Sequence, residues 1–326
     1  MHCSRRAAII GVGNVGSTTA FSLASQGLVN ELVLIDIKAK KSEGDAFDLE
    51  DAAARLPVQI KVWANDWEKA AESDIMILSA GPLPRPDQTR LDTLEDAKKI
   101  VNEVVPRLLA LNFQGLIVNI TNPCDVVSHH LWKKSGFPAA RVFGTGTLLD
   151  TFRLKKILGK ITGTAPSNIE GFSLGEHGDS QVVPWSHVSI GGMPLLDLMA
   201  EDKTPEGRYR NLDLKELNRQ VAYAGWEVLL RKGATYYGIA TAAADLVRAI
   251  LNDERRVLPV SAGLSGQYGL EGLHIGVPAL IGAGGVEEII ELKLTDGERA
   301  ALRESAKIIQ SYIAKLDERS FHAANQ

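Results

Sequence analysis

Cysteine is scarce: Cys3 and Cys124 are the only two in 326 residues. They stand far apart in unlike contexts, so neither a disulfide framework nor a paired metal-ligand spacing is suggested, and a reducing, cytoplasmic setting fits. Long apolar runs are also missing, and none approaches the roughly 20 residues that span a bilayer. The basic start from Met1 to Arg6, followed by Ala7-Ala8-Ile9-Ile10, briefly imitates a signal peptide, but Gly11 ends it far short of a proper hydrophobic region. No stretch of Lys or Arg is long enough to form a nucleic-acid or polybasic membrane footprint, and the formal net charge of −4 is small for this length. Neither nucleic acid nor membrane is expected as a partner. Internal repeats and low-complexity segments are lacking too. What is present is 45% apolar and 23% charged residues, enough to bury a full core in two lobes of ordinary size.

The first lobe reads as alternating strands and helices. Ala7 to Ile10 is a short apolar run, followed by Gly11-Val12-Gly13-Asn14-Val15-Gly16 and then a small, apolar stretch with helical spacing. In a strand–turn–helix context the first glycine allows the tight turn, the second lets backbone approach a pyrophosphate, and the third lets helix pack on strand. The helix N-terminus then offers free N–H groups to the phosphates. Glu31 to Ile35 is a second apolar strand ending in Asp36, 20 residues after Gly16, placed to accept hydrogen bonds from a ribose. Four further strands are expected at Gln59–Trp63, Ile75–Leu78, Leu116–Ile120 and Arg141–Phe143, with helices near 43–56, 92–112 and 125–135. The fold class is therefore α/β: a Rossmann-type doubly wound parallel sheet over residues 1–145. From Gly146 the alternation stops. Residues 146–326 read as an α+β domain, with antiparallel strands at Ile169–Leu174, Val188–Ile190 and Val257–Ala262 and helices at 212–231, 239–251 and 296–321.

Ligands of such sheets sit beyond the carboxyl ends of the strands, so the loops after Leu78 and Ile120 should line the site. The first runs Ser79-Ala80-Gly81-Pro82-Leu83-Pro84-Arg85-Pro86-Asp87-Gln88-Thr89-Arg90, a proline-rich flap whose last residue brings an arginine either onto a bound carbonyl or simply to the surface. The second places Asn122 before Pro123, where its amide either donates to a substrate oxygen or caps the next helix. Asp150 and Arg153 share a helical face: they form a surface ion pair, or they divide the labour of orienting an imidazole and gripping a carboxylate. His177, between glycines in Gly175-Glu176-His177-Gly178-Asp179, is either a surface-loop histidine or a general acid/base.

Together these residues resemble the family of L-lactate and other L-2-hydroxy-acid dehydrogenases, with malate dehydrogenases as cousins. The resemblance covers nearly the whole chain. Its signals are GVGNVG with Asp36, the flap ending in Thr89-Arg90-Leu91, Thr121-Asn122-Pro123, the run Gly144 to Arg153, the His177 segment, and Lys232-Gly233-Ala234-Thr235-Tyr236-Tyr237-Gly238-Ile239. It implies reversible hydride transfer between a 2-hydroxy acid and NAD, with no metal, in a homodimer or homotetramer. His177 would exchange the proton with Asp150 as its partner, Arg90 would polarise the carbonyl, and Arg153 would hold the carboxylate. Asn122 and Thr235 would touch substrate, while Gly11, Gly13, Asn14, Val15, Gly16, Asp36, Gly81, Asn122 and Ile239 would line the cofactor.

Three finer expectations follow from the same resemblance. Pro84 and Gly225 fall where the family reads substrate size, and a proline with a missing methyl favours branched or aromatic side chains, as in L-2-hydroxyisocaproate dehydrogenases, over lactate or a dicarboxylate. Asp36 should repel a ribose 2′-phosphate. Lys155 and Glu170 replace the arginine and histidine that grip fructose 1,6-bisphosphate in allosteric members, so no activation is expected. Two rival readings use the same glycines: an NAD-dependent glycoside hydrolase, which needs a metal on Cys124 with His129 or His130, and a non-catalytic NAD-binding protein, which has no use for Arg90, Asp150, Arg153 and His177 together.

Overall fold

A computed structural model describes residues 5–56, 58–81 and 90–324, with residues 90–92 and 317–324 described by their backbone alone. Pro84, most of the flap and Cys3 lie outside the described residues, as does the Arg90 side chain. The first half runs β1 (Arg6–Ile10), α1 (Asn14–Ser25), β2 (Glu31–Ile35), α2 (Ala39–Ala53), β3 (Lys61–Ala64), α3 (Trp67–Ala71), β4 (Ile75–Leu78), α4 (Arg90–Ala110), β5 (Leu116–Asn119), α5 (Cys124–Ser135) and β6 (Val142–Gly144). These six strands are parallel, in the order β6-β5-β4-β1-β2-β3. All four residues of β4 are fully buried, as a strand covered by helices on both faces must be. Each such side chain contributes about 2 kcal/mol of burial.

The second half holds α6 (Leu148–Thr162), β7 (Ile169–Glu170), β8 (Ser189–Ile190), β9 (Met193–Pro194), α7 (Leu195–Glu201), α8 (Leu214–Lys232), α9 (Tyr237–Leu251), β10 (Arg256–Ser265), β11 (Glu271–Gly282), β12 (Gly285–Ile289) and α10 (Asp296–Ala324). Antiparallel β10, β11 and β12 do not form a sheet of their own. They extend the parallel sheet, because β10 joins β6 through Ser261 and Gly144. A small separate sheet, β7-β8-β9, lies beside a second apolar core that includes Leu154, Ile169, Val188, Leu195 and Val221.

Three strands, β9, β11 and β12, escape the sequence pattern, β11 for an identifiable reason. β11 carries Gly272, Gly276, Pro278 and Gly282, which read as breakers. Yet Gly276 is required: a Cβ there would stand 2.6 Å from Thr147 Oγ1 and 2.7 Å from the Gly175 carbonyl, so this strand passes tightly against the start of the His177 segment. The strand expected at 169–174 is interrupted at Gly171, whose φ of +149° departs from strand geometry, and it survives as β7 plus isolated bridges of Leu174 to Val182 and Gly175 to Gly276.

Candidate active site

The glycine turn is built from missing side chains. Gly11 has φ +92°, and a Cβ on it would lie 2.5 Å from the Ala80 backbone at the root of the flap. Gly16 sits so close that a Cβ would stand 2.0 Å from the Gly11 carbonyl. Gly13, between them, has no atom of the described residues, its chain neighbours aside, within 4 Å of the position a Cβ would take. It is the N-cap of α1 and supplies no side-chain cap, so the helix end presents uncapped N–H groups beside that open space. Asn14 and Val15 open the helix. Asp36, at the end of β2, accepts from the Val12 N–H (2.9 Å) and the Lys38 N–H (2.9 Å), which fixes its carboxylate against the turn. These features fit a dinucleotide: a space where a Cβ would intrude, bare helix amides and a carboxylate at the ribose distance in sequence.

The neighbouring loops are tied to this turn. Thr121 Oγ1 donates to the carbonyls of Leu78 (3.2 Å) and Ala80 (3.0 Å), joining the exits of β4 and β5, and a Cβ on Gly81 would meet the Thr121 methyl at 3.1 Å. Asn119 shapes the next turn, donating from Nδ2 to the carbonyls of Thr121 and Cys124 and to Ser128 Oγ. The N-cap of α5 is Pro123 with no side-chain cap, so Asn122 does not play the capping role that was its alternative; its side chain is exposed.

His177 is held from two sides. Its Nδ1 lies 2.6 Å from Asp150 Oδ2, and the other oxygen of Asp150 accepts from Arg153 Nη1 at 2.8 Å. Asp150 is 1% exposed and Arg153 9%, so they form a buried pair and not a surface ion pair on α6, while the His177 ring beside them stays 22% exposed. Burial, the largest influence on His177, opposes its charged form, but the Asp150 carboxylate overcomes it and the histidine holds its proton to higher pH than usual. Burial likewise works against the Asp150 anion, but His177 and Arg153 prevail and hold its pKa below the ordinary carboxylate value. The main-chain N–H of His177 donates to a second buried carboxylate, Asp125 Oδ2, at 2.8 Å.

Residues 5–144 match the lactate/malate dehydrogenase NAD binding domain, and residues 147–319 match the lactate/malate dehydrogenase alpha/beta C-terminal domain. The chain belongs to the lactate/malate dehydrogenase family. It is accordingly an NAD-dependent oxidoreductase. It is 44% identical to L-lactate dehydrogenase 3 of Bacillus cereus over 96% of this chain and 98% of that one. With L-lactate dehydrogenase 1 of Lactobacillus acidophilus the identity is 41%, over 96% and 95%. The ligands-bound crystal structure of the minor L-lactate dehydrogenase of Enterococcus mundtii superposes with a TM-score of 0.92 at 40% identity, covering 96% of this chain and 98% of that one.

Of the remaining candidates, one adjoins the triad. Gly225, on α8, faces Arg153: a Cβ there would lie 3.3 Å from Nη2, so the space it leaves is beside the guanidinium. Thr235 precedes α9 and Ile239 lies in its first turn, half-buried against the main core. α9 meets α6 closely, since a Cβ on Gly238 would stand 2.9 Å from Leu149 Cδ1, one residue before Asp150. Lys155 Nζ and Glu170 Oε2 form an ion pair at 3.5 Å. Cys124 is buried and its thiol is pushed up to about 12, chiefly by burial and by Asp125. His130 Nε2 instead lies 3.0 Å from Asn102 Oδ1, and no group of three or more His, Cys, Asp or Glu among the described residues is placed to hold a metal ion. Asp125 is the residue the sequence reading passed over. Its only sequence signal is an acid in the first turn of α5, which reads as ordinary helix-dipole pairing.

Proposed function

We propose that the enzyme interconverts 2-keto acids and L-2-hydroxy acids, with pyruvate and L-lactate as the pair. The observation that carries this is the contact of the partly exposed His177 ring with the buried Asp150–Arg153 pair; the choice of pyruvate rests on the L-lactate dehydrogenases to which the chain is 41–44% identical. NAD, when bound, supplies or takes the hydride. Asp150 engages Nδ1 of His177, which leaves Nε2 as the ring nitrogen that exchanges a proton with the substrate oxygen. The protonated imidazole gives its proton to the forming alkoxide in reduction, and the neutral one takes it back in oxidation. Arg153 holds the substrate carboxylate, and Arg90 is the cation on the carbonyl. Asn122 and Thr235 contact substrate, while Gly81 and Ile239 line the cofactor.

A second reading keeps the chemistry and enlarges the side chain. It is favoured by Gly225, whose missing methyl allows Arg153, and with it the bound carboxylate, to shift toward α8. Initial rates with NADH and pyruvate, 2-ketoisocaproate, phenylpyruvate and oxaloacetate separate the two. An optimum at pyruvate supports the first, an optimum at 2-ketoisocaproate or phenylpyruvate the second, and no turnover with any of them removes both.

We also place the division between the cofactor-binding part and the catalytic part at residues 145 and 146, where Gly146 (φ +48°) leaves no room for a Cβ beside the Ser261 backbone. A cytoplasmic setting is supported by the buried free thiol of Cys124. No helix among the described residues is long and apolar enough to cross a membrane. A homodimer or homotetramer is supported by exposed Phe21, Phe47, Leu230 and Tyr237. Insensitivity to fructose 1,6-bisphosphate is supported by the Lys155–Glu170 pair, whose acid opposes a phosphate.

A further inference from the structure

Asp125 is 2% exposed, and its carboxylate joins three segments that are distant in sequence. It lies in the first turn of α5; Oδ2 accepts from the main-chain N–H of His177 at 2.8 Å, and Oδ1 accepts from Ser261 Oγ on β10 at 2.6 Å. Ser261 is fully buried and is also the residue through which β10 pairs with β6. The His177 main chain is thus pinned to the junction where the antiparallel strands meet the parallel sheet. A neutral acceptor would satisfy the same two donors at far less desolvation cost than a carboxylate. The charge itself therefore needs a reason.

We propose that Asp125 is a positioning residue for proton transfer at His177: it anchors the histidine main chain while Asp150 anchors the ring, and its negative charge supports the protonated imidazole. This rests on the reading of His177 as the acid/base. Among the described residues, the charged groups facing Asp125 are His177, which favours its anion, and Glu176, which opposes it; Cys124 adjoins it on α5, and β10 contributes the Ser261 hydroxyl. Burial dominates and pushes the Asp125 carboxyl up to about 6, against the hydrogen bonds from Ser261 and the His177 N–H. The relation is mutual: after Asp150, Asp125 is the next charge that raises the proton affinity of His177. Protonating Asp125 would thus weaken His177 as a proton holder, while one oxygen still accepts from the His177 N–H and the O–H donates to Ser261 Oγ.

The test is Asp125→Asn in the full chain, since a carboxamide can accept from the His177 N–H and donate to Ser261 Oγ while carrying no charge. Two readouts are taken. One is the titration of the His177 ring by NMR of protein labelled with 15N-histidine, without cofactor or substrate. The other is kcat and KM for pyruvate against pH, with KM for NADH as a control. The expected result is a His177 midpoint lowered by roughly half a pH unit or more, an alkaline limb of pyruvate reduction lowered by the same amount, and an unchanged KM for NADH. A folded Asp125→Asn protein with an unmoved midpoint overturns the role of Asp125. If that variant does not fold, Ser261→Ala serves instead: loss of its hydrogen bond makes the Asp125 anion harder to hold, so the His177 midpoint should fall by a smaller amount, and no shift overturns the proposal. Wild-type protein that reduces none of the four keto acids while His177 titrates normally would remove the catalytic reading, and the role of Asp125 with it. An unmoved midpoint in an active variant removes only the latter.

Discussion

Around the glycine turn the chain makes room by leaving side chains out, whereas around His177 it fills the interior with charge. Gly11, Gly13 and Gly16 act through the atoms they lack, and the carboxylate nearest them, Asp36, is satisfied by main-chain N–H groups. Asp150, Arg153, His177 and Asp125 act through charges that burial opposes and that stand only because each has a partner. The difference teaches where each region is vulnerable. The turn should fail to added volume and be indifferent to pH; the His177 region should tolerate small changes of volume and fail to lost charge or altered pH.

The largest effect expected on that contrast is His177→Gln. General acid/base catalysis contributes about 10²- to 10⁴-fold, so kcat/KM for pyruvate reduction should fall within that range while NADH affinity, measured by fluorescence titration, stays put. Equal losses in both would erase the distinction between the two regions. Next is cofactor choice. Asp36 beside a ribose 2′-phosphate is a like-charge contact worth several kcal/mol, so NADH should exceed NADPH in kcat/KM by about a hundredfold or more. Ile37, next to it, offers no compensating charge. Asp36→Ser should narrow the gap, and a wild-type ratio near unity would show that Lys38, Lys40 or Lys41 reaches back.

The glycines sharpen the comparison more finely. Gly13→Ala meets no atom of the described residues beyond its chain neighbours, so stability should change by no more than about 1 kcal/mol, the scale of an N-cap substitution. NADH affinity should nevertheless drop by about tenfold or more. Gly16→Ala drives a methyl onto the Gly11 carbonyl and should lower the thermal midpoint and NADH affinity together. If Gly13→Ala binds NADH normally, the open space beside it is not the phosphate site.

Much of the turn was legible because spacing encodes it: three glycines, a strand before, a helix after and an acid 20 residues on. The parallel strands were legible because runs such as Ile75-Met76-Ile77-Leu78 are buried on both faces. The triad was readable only as residue types. Nothing in the spacing of Asp150 and Arg153 distinguishes a buried pair from a surface one, and burial decided it. β11 was hidden because its glycines, needed for close approach to Thr147 and Gly175, look like breakers, and the sheet's continuation past β6 was hidden with it. Asp125 was hidden because its partners, His177 and Ser261, lie 52 and 136 residues away.

Acid stability extends the comparison to a buried group outside both regions. His274, fully buried on β11, has its pKa lowered to about 3, by burial first, while its Nε2 contacts the Val142 carbonyl at 3.0 Å. Unfolded chains bind that proton below about 6.5, so the folded state loses stability as pH falls from there toward 3. Asp125, raised to about 6, works in the opposite sense between pH 6 and 4 because the folded state takes up its proton first. The comparison is therefore made between variants. Between pH 6.5 and 4, His274→Gln should lose about 3 kcal/mol less stability than wild type, read from urea unfolding. Parallel losses would contradict a neutral buried His274.

The pH dependence of kcat/KM for pyruvate reduction at saturating NADH, in wild type and in Asp150→Asn, reaches the central claim most directly. A His177 held protonated by Asp150 keeps the reduction active up to a midpoint above the ordinary histidine value of about 6.5, because the active form is the protonated one and it is lost as pH rises through the folded pKa. Removing the Asp150 charge should move that midpoint down and lower the plateau. A wild-type midpoint at or below 6.5, or one that stays in place in a folded Asp150→Asn protein, would contradict the account.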